Sequence, residues 1–218
     1  MAEETPKDFD FNLLFAQCSA FEYCSPDQAA SCCCALGCCS LQTWAAFHKQ
    51  SGNVRPEPGD RSAPTYTEQD IDCAVLLSCL ASQTGGERRP DESGLFFMTR
   101  AVANVAATAG SAMSAGRIRA ILIKRYYSSK ASNLNATLTH LCCGPCANVQ
   151  EIDAIMKMNR ARYPNTKIGF GPVCAAPWRT PKATDCFTCG CLTCVQPWNL
   201  ETKKPFVESK AHASQGAT

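Results

Sequence analysis

The stretch LTHLCCGPCANVQEIDAIMKMNRAR, residues 138–162, carries the pattern on which the fold prediction depends. Its second half predicts a helix whose apolar side is formed by Ala147, Ile152, Ile155 and Met156. Pro145 suits the start of that helix, because its ring fixes φ and its missing N–H group is not needed in the first turn. Gln150 and Glu151 then fall near the first turn, where their oxygens can accept hydrogen bonds from free backbone amides.

Two upstream segments are almost free of charge and predict either buried helices or membrane-inserted ones. Residues 29–47 contain no charged side chain, and residues 94–116 contain only Arg100. Neither segment reaches eighteen uncharged, strongly apolar residues. In the second segment, the small residues that recur every four positions and permit close helix packing are Ala106, Gly110 and Ser114. Hydropathy leaves both interpretations open.

The other segments predict shorter elements. Residues 48–70 and 82–93 are rich in Pro, Gly and charge and predict solvated loops, with a helix of about three turns at 71–81 between them. Residues 117–127, RIRAILIKRYY, predict an amphipathic helix with basic side chains, which either lies along an interface or packs on its own domain. Prolines exclude a long helix from 163–182, which we interpret as a connector.

Cysteine is the most unusual part of the composition, with 17 of the 218 residues. Twelve of them fall in three clusters, at 32–39, 142–146 and 186–194. Disulfide frameworks usually pair distant cysteines, so adjacent thiols favour metal ligation, S-acylation or close packing of small apolar groups. The acidic N-terminus, MAEETPKDFDFNLLF, lacks the features of a secretory signal, so we expect the cysteines to face a reducing cytosol.

The third cluster has the spacing C-x2-C-x-C-x2-C and consists of Cys186, Cys189, Cys191 and Cys194. Zn²⁺ favours four sulfur ligands in a tetrahedron. Because one residue separates the two CxxC pairs, they cannot both serve one ion without strain. We therefore expect one pair to share a metal with the second cluster, Cys142, Cys143 and Cys146. A small polynuclear thiolate cluster, local disulfides and plain packing are the alternatives.

Other function classes lack a sequence signal. The net charge of +2 and the absence of a basic run interleaved with aromatics argue against nucleic-acid binding. The sequence contains no Walker loop and no GxGxxG, HExxH or GxSxG motif. His140 could orient or deprotonate the thiol of Cys142, but a histidine beside cysteines is more often a metal ligand or a solvated residue. We therefore predict that the protein is not an enzyme.

Three motifs follow one another along the chain. The first is Cys32-Cys33-CALG-Cys38-Cys39-Ser40, followed by Gln42 and Ala45. The second is the basic helix 119–126. The third is Pro145-Cys146-ANV-Gln150-Glu151, preceded by Cys142-Cys143. Together they resemble the placenta-specific-8 family of small cysteine-rich proteins, which includes plant cadmium-resistance proteins and cell-number regulators.

The resemblance implies membrane association, at the plasma membrane or an endomembrane, as a homo-oligomer or as a subunit of a membrane protein assembly. It also implies roles in divalent-metal tolerance or in cell-number control. The predicted domains are an acidic lead at 1–14, the family-like domain at 15–157 with a long insert at 48–93, a Pro-rich connector with the third cluster at 158–200, and a polar, disordered tail at 201–218.

We thus predict a mainly α fold, a small cysteine-rich helical domain with irregular loops and a cysteine-rich C-terminal knuckle. The predicted function is a membrane-associated protein that binds Zn²⁺ or another soft divalent metal through thiolates, with its cysteine clusters facing the cytosol. The alternatives are a non-catalytic structural or adaptor subunit with purely structural cysteines, and a thiol-redox protein that uses the second or third cluster. The motif PCxxxQE also predicts that Cys146 points toward Cys38 or Cys39.

Overall fold

The structure, a computed structural model, describes residues 40–50, 66–126, 132–172 and 195–206. These ranges contain four helices: α1 (Ser40–Gln50), α2 (Glu68–Thr84), α3 (Gly94–Tyr126) and α4 (Asn133–Arg162). They also contain three strands: β1 (Ile168–Pro172), β2 (Val195–Asn199) and β3 (Lys204–Pro205). The prediction of a mainly α fold is confirmed.

Helix α2 is longer than the three turns predicted for residues 71–81, because its start is capped. The Thr67 hydroxyl accepts a hydrogen bond from the Asp70 amide, and the Asp70 carboxylate accepts one from the Thr67 amide at 2.7 Å. This capping box satisfies amides that the first turn leaves unpaired. The helix therefore begins inside the segment that we interpreted as a solvated loop.

The loop interpretation of residues 48–70 is wrong at both of its ends. Helix α1 continues to Gln50, and His48 on it is fully buried. Tyr66, near the other end, is also buried. Both side chains are polar, so the composition of the segment predicted that they would be solvated. Instead, each has a hydrogen-bond partner in the interior.

Helix α3 runs without interruption through the two segments that the sequence analysis treated separately. At its first turns, the Arg100 guanidinium pairs with the Glu92 carboxylate at 2.9 Å and donates to the carbonyls of Thr84 and Gly85. These bonds hold α3 against the end of α2. The close helix packing predicted from small residues is also present, since a Cβ on Gly110 would lie 3.0 Å from the Leu77 side chain.

The hydrophobic core lies where α1, the start of α2, the second half of α3 and the second half of α4 meet. Its largest apolar members include Trp44, Phe47, Ile71, Ile118, Leu122, Ile152, Ile155 and Met156. The apolar side predicted for 138–162 is thus confirmed. Because Ile118 and Leu122 are in this core, the apolar side of the predicted basic helix packs on its own domain within the described residues.

Helix α4 is broken at Cys143, whose φ of −149° and ψ of 76° are not helical. The break divides the helix into a first segment before Cys143 and a second segment that starts with Gly144 and Pro145. A helix start at Pro145 was predicted, and it is confirmed. The first segment crosses α3 closely, because a Cβ on Gly116 would lie 2.6 Å from the Thr137 backbone.

The three strands form one antiparallel sheet in the order β1-β2-β3. Residue pairs run from Ile168 opposite Asn199 to Pro172 opposite Val195. The sheet joins the core through Phe170, whose ring centroid lies 5.4 Å from that of Phe47. No long helix occurs in the described part of 163–182, as predicted, but the strands were not foreseen.

The prediction of disorder for 201–218 is wrong for its first six residues. They form a turn and β3, and Phe206 is buried, with its ring centroid 5.3 Å from that of Tyr163. Residues 207–218 lie outside the described part of the chain.

Candidate functional site

A buried carboxylate lies at the centre of the helical core. Glu151 on α4 is 0% exposed. Its Oε1 accepts a hydrogen bond from Arg119 Nη1 at 3.2 Å and lies 2.8 Å from His140 Nε2. Its Oε2 accepts from Trp44 Nε1 at 2.6 Å and lies 3.1 Å from His48 Nε2. Each oxygen of one carboxylate thus meets two nitrogen groups, and these come from α1, α3 and α4.

A second layer of polar groups holds the nitrogen groups in place. The Tyr66 hydroxyl lies 2.7 Å from Nδ1 of His48, so the imidazole is held at both ring nitrogens. Arg119 Nη2 donates to the Gln150 side-chain oxygen at 2.6 Å. The indole of Trp44 lies against the His48 ring, with centroids 4.7 Å apart. We call Trp44, His48, Tyr66, Arg119, His140, Gln150 and Glu151 the Glu151 cluster.

The cluster keeps Glu151 ionised. Burial alone would raise the pKa of this carboxyl, but the charge and hydrogen bond of His140, the hydrogen bond of His48 and the charge of Arg119 outweigh burial. Together they hold the pKa of Glu151 far below its usual range. A carboxylate in that state does not take up a proton near neutral pH. Its role in the described structure is that of a fixed anion that ties three helices together.

Sequence reasoning gave Glu151 the wrong partners. We expected its oxygens to accept from free backbone amides, but both accept from side chains of other elements. His48 and Tyr66 were assigned to a loop, and Arg119 to the polar side of an amphipathic helix. The sequence signal that could have found Arg119 is its position between Ile118 and Ala120, since both neighbours are apolar.

Residues from the second and third motifs meet in the Glu151 cluster, and Trp44, which follows the first motif, joins them. Gln150 and Glu151 belong to the third motif, and Arg119 begins the second. Trp44 lies between Gln42 and Ala45, the residues that follow the first motif. Trp44, Arg119, Gln150 and Glu151 are far apart in sequence, and together they build one buried ion-pair network.

The second cysteine cluster spans the break in α4 at Cys143, beside the Glu151 cluster. Cys143, half-buried, and Cys146, exposed, are joined by a disulfide, and Cys142 is an exposed free thiol. We call residues 142–146 the cysteine loop. Its three sulfur-bearing residues, all predicted metal ligands, therefore lie together, but two of them are bonded to each other.

The remaining predicted ligands, Cys186, Cys189, Cys191 and Cys194, lie outside the described residues, as do Cys38 and Cys39. Whether the second and third clusters meet, and whether Cys146 points toward the first, stay predictions. Within the described ranges, no group of three or more His, Cys, Asp or Glu side chains is arranged to hold a metal ion.

A groove of about 580 Å³ lies against the cysteine loop. Gly144 and Pro145 of the loop and His140 of the Glu151 cluster form one end of it. Much of its wall is polar but uncharged and comes from Ser78, Ser82, Asn104, Thr108, Ser111 and Asn148. Hydroxyl and amide groups of this kind can donate to and accept from a neutral ligand such as a peptide backbone. The volume is in the range typical of small-molecule sites.

One wall residue of the groove has an unsatisfied acceptor. Asn148 is only 3% exposed, and its amide nitrogen lies 3.4 Å from the Ser40 hydroxyl. Its side-chain oxygen has no hydrogen-bond partner among the residues that the structure describes. A buried amide oxygen without a donor is costly, so this atom is suited to accept from a bound ligand.

Comparisons of the chain with known protein families, with curated proteins and with solved structures found no match. The resemblance to the placenta-specific-8 family therefore stays a prediction from the motifs, and the functional argument depends on the geometry of the described residues.

Proposed function

We propose that this is a membrane-associated, cysteine-rich protein that attaches to a lipid surface through α3 and binds a soft divalent metal through thiolates. The observation that carries the membrane part is a row of exposed apolar side chains on α3. The metal part is supported by the cysteine clusters.

The exposed row on α3 has the spacing of one helix face. It consists of Leu95, Met98, Val102, Val105 and Met113, which are 60% to 81% exposed. The intervals of three, four, three and eight residues place them along one side of the helix. At about 1.5 Å per residue the row is about 27 Å long. We call it the apolar stripe.

The apolar stripe contains no charge. Arg100, the charged residue of this stretch, is turned toward α2 and pairs with Glu92. Exposed apolar area of this extent is uncommon on the free surface of a monomer and marks a contact surface.

The basic residues next to the stripe favour lipid as the contact. Arg117 and Lys124 follow Met113 by four and eleven residues, which continues the same face, and both are exposed. An apolar face that ends in basic side chains is typical of helices that lie in the plane of a membrane with anionic headgroups. Within the described residues, no helix combines the length and the hydropathy needed to span a bilayer.

The membrane proposal can be tested by sedimentation with vesicles. We expect the full chain to bind vesicles containing anionic lipid more tightly than purely zwitterionic ones. Val102→Asp should weaken that binding by about tenfold or more, because a charge is costly at an apolar membrane contact, and should leave the thermal midpoint of unfolding unchanged. Leu200→Asp is the matched control, since Leu200 is an exposed leucine in the turn after β2. Equal binding by wild type and Val102→Asp would contradict the proposal.

The metal part concerns the reduced protein. With the Cys143–Cys146 disulfide open, the cysteine loop offers three thiolates within five residues, and Zn²⁺ prefers such ligands. The third cluster would supply the remaining sulfur. Elemental analysis of protein purified anaerobically should show zinc or a similar metal, and the triple variant Cys142→Ser, Cys143→Ser, Cys146→Ser should lose it. Metal-free wild type would refute this part and leave the membrane part intact.

A further inference from the structure

We propose that the Cys143–Cys146 pair is a thiol–disulfide exchange site, and that its partner is a cysteine-containing peptide held in the adjacent groove. The proposal does not depend on membrane attachment, and it requires no metal. From the sequence alone, thiol–disulfide exchange ranks below metal binding as a function of these cysteines.

The first support is the position of the pair at a helix start. Cys143 has non-helical backbone angles, and the second segment of α4 begins directly after it. A thiolate at Cys143 therefore lies at the end of a helix where backbone amides have no helical partner and the helix dipole is positive. Those amides can donate hydrogen bonds to a sulfur at this position.

The second support is unequal access to the two sulfur-bearing residues. Cys146 is exposed, whereas Cys143 is half-buried. An incoming thiol can reach Cys146 more easily, and Cys143 is then the leaving group at the helix start. The arrangement assigns each sulfur a distinct part in one exchange reaction.

The third support is the groove, which meets the loop at Gly144 and Pro145, the two residues between the cysteines. A peptide lying in the groove brings its cysteine next to the pair. The unsatisfied oxygen of Asn148, two residues after Cys146, can accept a hydrogen bond from a peptide amide. The groove thus offers a reason why a peptide thiol would react faster than a simple thiol.

The exchange balances in atoms and electrons. The peptide thiolate attacks the Cys146 sulfur, the Cys143–Cys146 bond breaks, and Cys143 leaves as a thiolate with the electron pair. A second thiolate, from the same peptide or another molecule of it, attacks the peptide sulfur of the mixed disulfide and releases Cys146. The peptide is oxidised to a disulfide, and the pair becomes a dithiol that takes up two protons. The reverse direction uses a peptide disulfide as the oxidant.

The first experiment measures exchange in the folded, metal-free full chain. The protein is equilibrated with glutathione buffers of defined thiol-to-disulfide ratio, thiols are blocked by alkylation, and the state of the pair is read by mass spectrometry. We expect the pair to change reversibly between disulfide and dithiol while the circular dichroism spectrum keeps its helical signal. A pair that reacts only in denaturant is a structural disulfide, and that result would overturn the proposal.

The second experiment measures how readily Cys146 forms a mixed disulfide with a peptide. Reduced Cys143→Ser protein is mixed with a seven-residue peptide whose single cysteine carries a thionitrobenzoate leaving group. We expect the peptide to be trapped on Cys146 at a rate about tenfold above that on Cys73, an exposed thiol of α2 in the same molecule. The variant Cys73→Ser, which is outside the cysteine loop, should keep the exchange of the wild type. Equal rates at Cys146 and Cys73 count against the proposal.

The third experiment tests the groove. Asn148→Leu should slow the reaction with the peptide by about threefold to tenfold, the effect of one hydrogen bond, and should not slow the reaction with cystamine, which has no peptide group. Glutathione as fast as the longer peptide indicates a free tripeptide as the partner, and a faster longer peptide indicates a protein segment. Cystamine as fast as both would refute the peptide site.

Discussion

The two halves of α3 are both mostly apolar in sequence but have opposite surroundings. In residues 94–113 the large apolar side chains of one face are exposed, with Leu95 at 81%. In residues 115–123 nearly every side chain is buried, including the charged Arg119. The second half lies in the core with residues of α1, α4 and the start of α2, whereas the first half packs on α2 through Gly110 and Ser111. The comparison shows that the neighbours of a helix, and not its own hydropathy, decide which of its faces are buried.

The largest loss of folding stability is expected when Glu151, the anion that pairs with Arg119 in the buried half of α3, is removed. Glu151→Gln leaves Arg119 in the core without its counter-charge, which should lower the free energy of unfolding by about 3–5 kcal/mol at pH 7. Urea denaturation measures this loss. Glu201→Gln is the control, because its pair with Lys167 is exposed at the surface, and it should change stability by less than about 0.5 kcal/mol. A Glu151→Gln protein as stable as the control would show that the Glu151 cluster is not a stabilising network.

The same truncation in the two halves of α3 should give different results. Leu122→Ala removes a fully buried side chain and should cost about 2–5 kcal/mol, whereas Leu95→Ala should change stability by less than about 0.5 kcal/mol. Thermal or urea unfolding of both variants provides the measurement. If Leu95→Ala were destabilised as strongly as Leu122→Ala, the apolar stripe would be covered within the monomer, and the proposed membrane contact would be wrong.

A smaller loss of folding stability is expected from a substitution where α3 crosses the first segment of α4. A Cβ on Gly116 would lie 2.6 Å from the Thr137 backbone, so Gly116→Ala must push the two helices apart and should cost about 1–3 kcal/mol. Gly94→Ala is the matched substitution in the open half, because nothing lies within 4 Å of its Cβ position. Differential scanning calorimetry of both variants tests the pair. Equal melting temperatures would show that the crossing can relax without cost.

The smallest expected change is the decrease in the free energy of unfolding as the pH falls. The pKa of Glu151 is lowered in the folded state, so the unfolded chain, in which glutamate titrates near 4.3, binds more protons as the pH falls. The stabilisation is therefore complete above about pH 4.3 and is lost below it, by up to about 1.4 kcal/mol per pH unit. Urea denaturation from pH 5.5 to 3 should show a shallower loss for Glu151→Gln than for wild type. Identical slopes would mean that other carboxyl groups cause the acid sensitivity.

The sequence was informative where a pattern is local. The apolar side of 138–162, the helix start at Pro145 and the small residues of α3 each depend on neighbouring positions, and each prediction is confirmed. The capping box at Thr67 is local too, and its Thr-x-x-Asp pattern could have moved the predicted start of α2 to Glu68.

The sequence was not informative where partners are distant. Glu151 contacts residues 32 and 107 positions away, and no spacing rule connects them. His48 and Tyr66 were placed in solvent because polar residues in a Pro- and Gly-rich stretch usually lie there. A buried polar side chain is stable only with its partner, so such positions can be predicted only when the packing of the helices is known. The groove has the same origin, because its walls come from all four helices.

The sheet has a consequence for engineering the chain. Its register holds Pro172 directly opposite Val195, so the two described residues that flank 173–194 are adjacent. Segments with adjacent ends can be exchanged at small cost, because shortening or lengthening them changes only a slowly varying closure entropy. The third cysteine cluster lies in this interval. Replacing 173–194 with a short Gly/Ser linker would therefore remove all four thiols of that cluster from the domain. The same interval, placed between two antiparallel strands of an unrelated host, would transfer them to that host.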